Sequence, residues 1–429
     1  MATVLNDRRW VPSRWNRAVA NERPLNIGLL GCGAVGSEVA RELLAREGAW
    51  DPLFRLAKVA VLHPDKERSV TLPKGVLTTG SLGIVKDPTI DIVIELIGGV
   101  EPALGLIRQA IAEGKSVVTA NKELIAQRGS QLLDVARRCG VELRFEAAVG
   151  GAVPIVRTVT EALAGDRLRS FLGIFNGTSN LILDLLAEGL TMEEAVTRAQ
   201  GMGCAESDPS DDLSGRDAAR KVAILASLGF DVPFRYDAVF TRGIEGLTHA
   251  DLAVARELGF TIRLVGSAER TARGIELRVE PTAVPLEHPL ASVRGTENLV
   301  SLDCDLAGRL SLAGPGAGGR QTAGAVLGDL VTLASGGSWA PALFSNSERV
   351  LEPKDMPRPF LVRISGGDEG AIRGACFGFG IEVRTATRVS LDGRRYLGFT
   401  TGTADESCVR RALASVPGVA ATEATLIAS

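Results

Sequence analysis

The sequence predicts an α/β protein with a Rossmann-type doubly wound parallel sheet near its N-terminus and a ferredoxin-like sandwich at its C-terminus. Three observations support this prediction. A glycine-rich turn joins an apolar strand to a helix at residues 25–44, apolar strands then alternate with helical patterns to about residue 150, and the order βαββαβ follows residue 359. Strands and helices that alternate in this way form a parallel sheet covered on both faces.

The glycine-rich turn predicts a dinucleotide-binding site. LNIGLL at 25–30 is an apolar strand, GCGAVG follows it, and apolar residues then recur at helical spacing. Gly31 allows the tight turn, Gly33 lets backbone approach a pyrophosphate, and Gly36 lets the helix pack against the strand. The helix N-terminus offers N–H donors to the phosphates. The positions expected to bind the nucleotide are Gly31, Gly33, Ala34, Val35 and Gly36.

The other strands of this sheet are expected where runs of Val and Ile lack alternation, as in strands buried on both faces. These runs are KVAVL (58–62), IDIVIELI (90–97), KSVVTA (115–120) and VELRFEAAV (141–149). The carboxyl ends of such strands form the ligand-binding edge of an open α/β sheet. Lys122 lies at this edge, after Asn121, and is interpreted either as a solvated loop residue or as a neighbour of the nicotinamide.

The end of the second strand should select the cofactor. A carboxylate there binds a ribose 2′-OH, whereas Arg or Lys favours a 2′-phosphate. Asp65 indicates NAD, whereas Lys66 and Arg68 indicate NADP. The sequence therefore leaves the choice open, with a slight preference for NADP.

The segment AESDPSDDLSGRDAARK (205–221) crowds five carboxylates in front of Lys221. A metal site is disfavoured, because no histidine lies nearby and the order of a calcium loop is absent. Ser214 and Asp217 are spaced as a capping box, which would make the acids an ordinary helix start. The helix that follows is apolar, however, so Asp217 and Lys221 are expected on one buried face, where they would line a pocket for an amino-acid substrate. Chemistry alone leaves the helix start and the pocket both open.

Composition excludes several classes of function. The chain of 429 residues has 48 basic and 51 acidic side chains, a net charge of −3 and no long basic stripe, so nucleic acid is not expected as a partner. No signal-peptide pattern and no apolar run long enough to span a bilayer are present, so no membrane contact is expected. Six cysteines without a CxxC pair indicate reduced thiols in a cytoplasmic protein of two or three domains.

Nine segments, in order between about residues 25 and 335, resemble the homoserine dehydrogenase family. They are GLLGCGAVG, IVIELIGG, GKSVVTANKELIA, FEAAVGGAVPIV, GIFNGTSN, GCAESDPSDDLSGRDAARKVAILA, GIEGLTHADLAVARELGF, HPLASVRGTENLV and GPGAGGRQTAGAVLGDL. The resemblance implies reversible reduction of L-aspartate 4-semialdehyde to L-homoserine with NADPH or NADH, in the biosynthesis of threonine, methionine and isoleucine. It also implies an α+β substrate-binding and dimerisation domain after the Rossmann-type domain.

The resemblance also implies roles for single residues. Lys221 would donate a proton to the aldehyde oxygen, Asp217 would orient it, and Lys122 would be a second catalytic lysine. Glu206 and Asp212 would pair with the substrate ammonium. The remaining implied contacts are Thr178 with the substrate, and Ile97, Lys122 and Gly318 with the nicotinamide nucleotide.

The segment FEAAVGGAVP resembles the family's loop for a monovalent cation, Na⁺ or K⁺. The resemblance implies backbone carbonyls of Val149, Gly151 and Val153 as ligands, together with Glu146. A glycine-rich hinge between domains is the alternative, and the two roles are compatible.

The C-terminal segment resembles an ACT regulatory domain, which implies threonine as an effector. Its ligand turn reads GGDEGAI (366–372) without the usual proline, so effector binding and a purely dimer-building role both stay open. The expected domains are an N-terminal arm (1–24), a Rossmann domain (25–150, completed by 319–340), a substrate domain (151–318), a linker (341–358) and the ACT-like domain (359–429).

The opposing hypothesis is a catalytically silent regulator that binds a nucleotide or an amino acid on the same scaffold. Such a protein should have lost Lys122, Asp217 or Lys221, and all three are present. Within enzymes, the alternative is another dehydrogenase of a small amino-acid aldehyde or alcohol. The expected partners are the small-molecule substrate and further copies of the chain, in a dimer or tetramer.

Overall fold

The computed structural model of the protein describes residues 23–45, 53–336, 348–351 and 357–427. Most of the expected N-terminal arm and of the expected linker lies outside the described residues. The described residues form two compact units. The first holds the residues up to Ala152 and those from Gly318 to Gly336, and the second holds Val153–Ala317 and the described residues from 348 onward.

The strands of the described residues are numbered in chain order. They are β1 Leu25–Leu30, β2 Phe54–Ala60, β3 Leu77–Thr78, β4 Ile92–Glu95, β5 Ser116–Thr119, β6 Leu143–Arg144, β7 Leu168–Ile174, β8 Phe240–Thr241, β9 Phe260–Thr271, β10 Gly274–Pro285, β11 Glu297–Cys304, β12 Gly308–Pro315, β13 Phe360–Ser365, β14 Val383–Leu391, β15 Arg394–Thr401 and β16 Ala421–Ile427.

The α-helices of the described residues are numbered in the same way. They are α1 Ala34–Ala45, α2 Ser81–Lys86, α3 Ala103–Ala112, α4 Lys122–Arg138, α5 Ile155–Arg157, α6 Gly177–Ala187, α7 Met192–Gly201, α8 Ser210–Leu213, α9 Arg216–Phe230, α10 His249–Glu257, α11 Gly319–Ala334, α12 Glu369–Gly378 and α13 Glu406–Ala414. No helix in this part of the chain is long and apolar enough to cross a membrane.

The first unit is built on a six-stranded parallel sheet in the order β3-β2-β1-β4-β5-β6. This is the strand order of a doubly wound nucleotide-binding fold, so the predicted Rossmann-type sheet is confirmed. Ile27, Leu29 and Val93 are fully buried, as expected for strands covered on both faces. Helix α11 returns to this unit and buries Val326 and Leu330 in the same core.

The sequence prediction is one or two residues too long at each end of β4 and β5, and it differs more at β2 and β6. Strand β2 runs over Phe54–Ala60 rather than 58–62, because Phe54 is buried in the core whereas Leu62 is 84% exposed. Strand β6 ends at Arg144 rather than continuing to residue 149. The chain turns there into a short 3-10 helix, because the N–H of Glu146 donates to Asp329 of α11 at 2.9 Å instead of to a neighbouring strand.

The second unit contains one mixed sheet in the order β12-β11-β7-β9-β10-β16-β13-β15-β14, with β8 paired to β10. Helix α9 packs on β9 and β10, and most of its side chains are buried. The approach is close at Gly266 of β9, where an added Cβ would lie 2.5 Å from Val222 of α9. The apolar face of α9 therefore fixes two of its charged residues, Asp217 and Lys221, in buried positions.

The C-terminal part of this unit has the order βαββαβ and the antiparallel strand order β16-β13-β15-β14, so the predicted ferredoxin-like topology is confirmed. It has a core of its own around Phe360, Phe399 and Val409. Strand β16 also pairs in parallel with β10. The ferredoxin-like strands therefore continue the sheet of the rest of the unit.

Candidate active site

A cavity of about 700 Å³ lies against the glycine-rich turn in the first unit, a volume typical of cofactor sites. It is lined by the turn between β1 and α1, the loop after β2 and the end of β4. Its lining includes Gly31, Cys32, Gly33, Ala34, Ser37, Leu62, His63, Lys66, Glu67, Arg68, Leu96 and Ile97. Among the expected nucleotide-binding residues, Gly31, Gly33, Ala34 and Ile97 thus share one cavity. Val35 packs against the core instead.

Two glycines shape this cavity. Gly31 has φ +95°, and an added Cβ would lie 2.5 Å from the carbonyl oxygen of Leu96. At Gly36 an added Cβ would lie 2.2 Å from the carbonyl oxygen of Gly31. Helix α1 therefore starts in contact with the turn, and the N–H groups of a helix start, which have no partner within the helix, suit a pyrophosphate.

The loop after β2 is held by Arg68. Its guanidinium donates to the backbone carbonyls of Pro64 at 3.0 Å and Lys66 at 2.6 Å, and also to that of His63. Arg68 therefore orders the loop that edges the cavity, while Lys66 is exposed there. The exposed ammonium of Lys66 is available to a ligand in the cavity.

Lys122 begins α4 and is half-buried. The helix is capped by Asn121, whose side-chain oxygen accepts from the N–H of Leu124 at 3.0 Å and whose amide donates to the carbonyl of Gly99 at 2.6 Å. The fully buried Glu95 accepts hydrogen bonds from the N–H of Ile97 at 2.7 Å and from the hydroxyl of Thr119 at 2.7 Å. These contacts fix the start of α4 to the loop that follows β4.

In the second unit, Asp217 and Lys221 form a buried ion pair on α9. The Nζ of Lys221 donates to Oδ2 of Asp217 at 2.7 Å and to the carbonyl oxygen of Phe175 at 2.7 Å. Asp217 is 4% exposed and Lys221 is 8% exposed. The prediction that the two would face the same buried side of the helix is confirmed.

Asn176 joins this pair to a second acid. Its Nδ2 donates to Oδ2 of Asp217 at 2.8 Å and to Oδ1 of Asp212 at 2.6 Å, while its Oδ1 accepts from the N–H of Ser179 at 2.7 Å. Sequence reasoning missed this residue, although it stands in the quoted segment GIFNGTSN. An asparagine directly before a helix, after an apolar strand, was the available signal.

The other acids of the 205–221 segment have different surroundings. Asp208 accepts from the N–H of Ser210 at 3.0 Å, which lowers the pKa of this aspartate. Partial burial alone would raise the pKa of Asp211, but hydrogen bonds from Arg220 and Arg216 bring it below its ordinary value. The side chain of Glu206 is exposed. Asp212 and Asp217 are thus the acids of this segment that Asn176 brings together.

The predicted capping box at Ser214 and Asp217 is wrong. The N-cap of α9 is Gly215, with φ +80°, and the hydroxyl of Ser214 donates back to the carbonyl of Ser210 at 2.6 Å. The left-handed turn at Gly215 is what separates α8 from α9. This turn directs the chain so that Asp217 faces Asn176 and Lys221 instead of capping the helix.

Thr178 follows Asn176 in the first turn of α6, and its hydroxyl donates to the carbonyl oxygen of Cys204 at 2.8 Å. This contact ties the start of the acidic segment to the start of α6. Among the described residues, no cluster of three or more His, Cys, Asp or Glu could hold a metal ion.

The remaining predicted positions lie near the boundary of the first unit. Gly150 and Gly151 have φ +77° and +59°, and Glu146 is buried and tied to α11 through Asp329. Gly318, with φ +117°, is the N-cap of α11.

Comparison with known proteins identifies relatives of the chain. A family model described as homoserine dehydrogenase matches residues 154–331, and one described as homoserine dehydrogenase, NAD binding domain, matches residues 31–146. The chain is 40% identical over 400 residues to the homoserine dehydrogenase of Synechocystis sp., which covers 89% of this chain and 91% of that protein. It is 41% identical over 319 residues to the homoserine dehydrogenase of Bacillus subtilis, a match that covers 72% of this chain and 73% of that protein. A solved homoserine dehydrogenase from Thiobacillus denitrificans superposes with a TM-score of 0.87 at 34% identity, over 95% of this chain and 99% of that one.

Proposed function

This chain belongs to the homoserine dehydrogenase family, and we propose that Lys221, Asp217 and Lys122 are its catalytic residues. The chain is an oxidoreductase with a nicotinamide-nucleotide-binding domain, and it interconverts L-aspartate 4-semialdehyde and L-homoserine. Relatives at about 40% identity bear this enzyme's name, which favours an active enzyme over a silent regulator. The observation that carries the residue assignment is the buried Lys221–Asp217 pair, held by Asn176.

Lys221 is proposed as the proton donor. A bound nicotinamide would supply the hydride to the aldehyde carbon, and the negative charge that develops on the carbonyl oxygen would need a proton. The Nζ of Lys221 would give that proton and would take it back from the homoserine hydroxyl in the reverse reaction. Asp217 and the carbonyl of Phe175, each 2.7 Å from this nitrogen, would orient it. Lys122, at the start of α4, is proposed as the second catalytic lysine and as a contact of the nucleotide.

The residues proposed to bind the polar end of the substrate are Asp212, Glu206, Asp217 and Thr178. Carboxylates bind an ammonium group by charge-assisted hydrogen bonds. Asp212 and Asp217 already share the amide of Asn176, so their negative charges lie in one place. Glu206 is proposed to complete the ammonium site from the exposed loop.

NADP is proposed as the preferred nucleotide. The cavity in the first unit is edged by the exposed Lys66, and Arg68 holds the loop that carries it. A 2′-phosphate brings extra negative charge, which an ammonium at this place would attract.

A monovalent cation is proposed at the stretch that begins with Glu146, with the carbonyls of Val149, Gly151 and Val153 as ligands. The two consecutive left-handed glycines, Gly150 and Gly151, support this proposal because they turn successive carbonyls out of a helix or strand pattern. Oxygen donors suit Na⁺ or K⁺. The cation would order the loop and is given no step in the chemistry.

The threonine effector and the homo-oligomer rest on the family resemblance alone and stay predictions. Initial rates with L-aspartate 4-semialdehyde test the function, measured with NADPH and NADH separately, with and without threonine. We expect turnover, faster with NADPH at low nucleotide concentration. Loss of rate with threonine would support effector binding, and an unchanged rate would support the dimer-building role. A folded protein that binds nucleotide but turns over with neither would refute the proposed reaction, and faster turnover with NADH would refute the cofactor preference.

A further inference from the structure

We propose that Asn176 is a positioning residue of the dehydrogenase reaction: it holds Asp212 and Asp217 side by side as anions, and thereby fixes Lys221. This inference rests on the proposed roles of these three residues. Asn176 is 5% exposed and precedes α6, whereas Asp212 lies on α8 and Asp217 on α9. One amide therefore ties together three elements of the second unit.

The hydrogen-bond network fixes the orientation of the amide. Its oxygen must be the acceptor, since it faces the backbone N–H of Ser179 at 2.7 Å. Its nitrogen must then face Asp212 and Asp217, and an NH₂ group has one proton for each of these two carboxylates. The reverse orientation would place an oxygen against two carboxylates and leave the Ser179 N–H without its acceptor.

This arrangement bears on the charge of the cluster. Two carboxylates within hydrogen-bonding distance of the same nitrogen repel each other, which disfavours the state in which both are charged. Oδ2 of Asp217 accepts hydrogen bonds from both Lys221 and Asn176. A proton on this carboxylate would therefore weaken its ion pair with Lys221. By donating to both acids, Asn176 favours their charged forms.

Charged groups from two helices face Asn176. They include Asp212 from α8, and Asp217 and Lys221 from α9. The next arginines along the segment, Arg216 and Arg220, bind Asp211 at 2.7 and 2.6 Å. The alternative is that Asn176 serves only as the N-cap of α6.

The substitution Asn176→Asp separates the two roles. Aspartate caps helices as well as asparagine does, so the cap on Ser179 is retained. The two donated hydrogen bonds are lost, and a third carboxylate enters the cluster. We expect kcat to fall about 10- to 100-fold at neutral pH. We also expect the deficit to shrink as pH falls, because a protonated Asp side chain loses the added negative charge and restores one of the two donated hydrogen bonds. KM for NADPH should stay unchanged, since neither Asn176 nor the acids that it binds line the nucleotide cavity.

Two further variants are controls. Asn176→Ser keeps a good cap, but it has a single donor and adds no carboxylate that low pH could neutralise, so its kcat should fall without recovery at low pH. Asn180→Ala removes another asparagine of α6, whose amide donates to the carbonyl of Gly295 at 2.9 Å, and should keep the wild-type pH profile. Wild-type kcat and pH profile in both Asn176 variants would overturn the proposal. So would a loss in Asn176→Asp that is equal at every pH and matched by Asn180→Ala. Failure of the proposed reaction is distinct, because the wild type itself would then show no turnover.

Discussion

At the scale of single residues, the chemistry depends on an ion pair that is expensive to bury. Asp217 and Lys221 have lost nearly all contact with water, and the desolvation of two charges is offset only by good geometry and additional hydrogen bonds. Those additional bonds come from Asn176 and from the carbonyl of Phe175. Apolar residues would pack this position at lower cost, so its charges are best explained by function.

A first prediction at this scale concerns the nucleotide. Lys66→Ala should raise KM for NADPH about tenfold and leave KM for NADH nearly unchanged, because only NADPH carries the 2′-phosphate. Lys74→Ala, an exposed lysine outside the cavity lining, is the matched control and should change neither constant. Equal changes in KM for both nucleotides would mean that Lys66 supports the structure of the loop and does not bind the 2′-phosphate.

Sequence reasoning reached the residues whose partners lie close in the chain. Asp217 and Lys221 are one helical turn apart, so spacing alone predicted their contact. Asn176 lies 36 and 41 residues from the acids that it binds, and no local pattern specifies such a contact. Ser214 was misread for a related reason, since its capping role depended on the conformation of Gly215 next to it.

At the scale of elements, helix N-termini organise both halves of the chemistry. Helix α1 begins at the cavity of the first unit, and α6 begins at Asn176, beside the start of α9. The sequence predicted the βα elements well, because glycines and buried valines report local geometry directly. It overextended β6, since Glu146 follows an apolar run but is captured by Asp329 of a distant helix.

The start of α1 gives a prediction at this scale. Gly36→Ala would place a Cβ 2.2 Å from the carbonyl oxygen of Gly31, so the helix start must shift. We expect NADPH binding to weaken about tenfold, measured by fluorescence titration. Gly83→Ala in α2, where an added Cβ meets nothing within 4 Å, should leave binding unchanged. Unaltered affinity in Gly36→Ala would show that the close contact is not needed for the site.

At the scale of the whole molecule, the ferredoxin-like part is joined to the catalytic elements of the second unit. Its strand β16 pairs with β10, and Arg363 of β13 forms a buried ion pair with Asp251 of α10. Helix α10 in turn contacts α6, where His249 Nδ1 lies 2.8 Å from the carbonyl oxygen of Leu186. The sequence predicted the topology of the ferredoxin-like part. It did not predict that this part continues the sheet of the second unit, because that depends on the pairing of β16 with β10, which lie far apart in the chain.

This connection predicts a large effect on stability. Arg363→Met removes the guanidinium that pairs with the buried Asp251. Breaking a buried ion pair in this way costs about 3–5 kcal/mol. The free energy of unfolding, measured with urea, should fall by that amount. Arg373→Ala removes an exposed pair with Glu369 and should change it by less than about 1 kcal/mol. Equal effects of the two variants would mean that the ferredoxin-like part is only loosely attached.

The measurement that tests the central assignment most directly is the turnover of Lys221→Gln in both directions. The glutamine amide keeps two hydrogen-bond donors on a side chain only one bond shorter, but it cannot transfer a proton. We predict that kcat falls about 10²- to 10⁴-fold while NADPH binding is kept, and that Asp211→Asn, from the same acidic segment, behaves as the wild type. A folded Lys221→Gln protein with wild-type turnover would contradict the assignment of Lys221 as the proton donor.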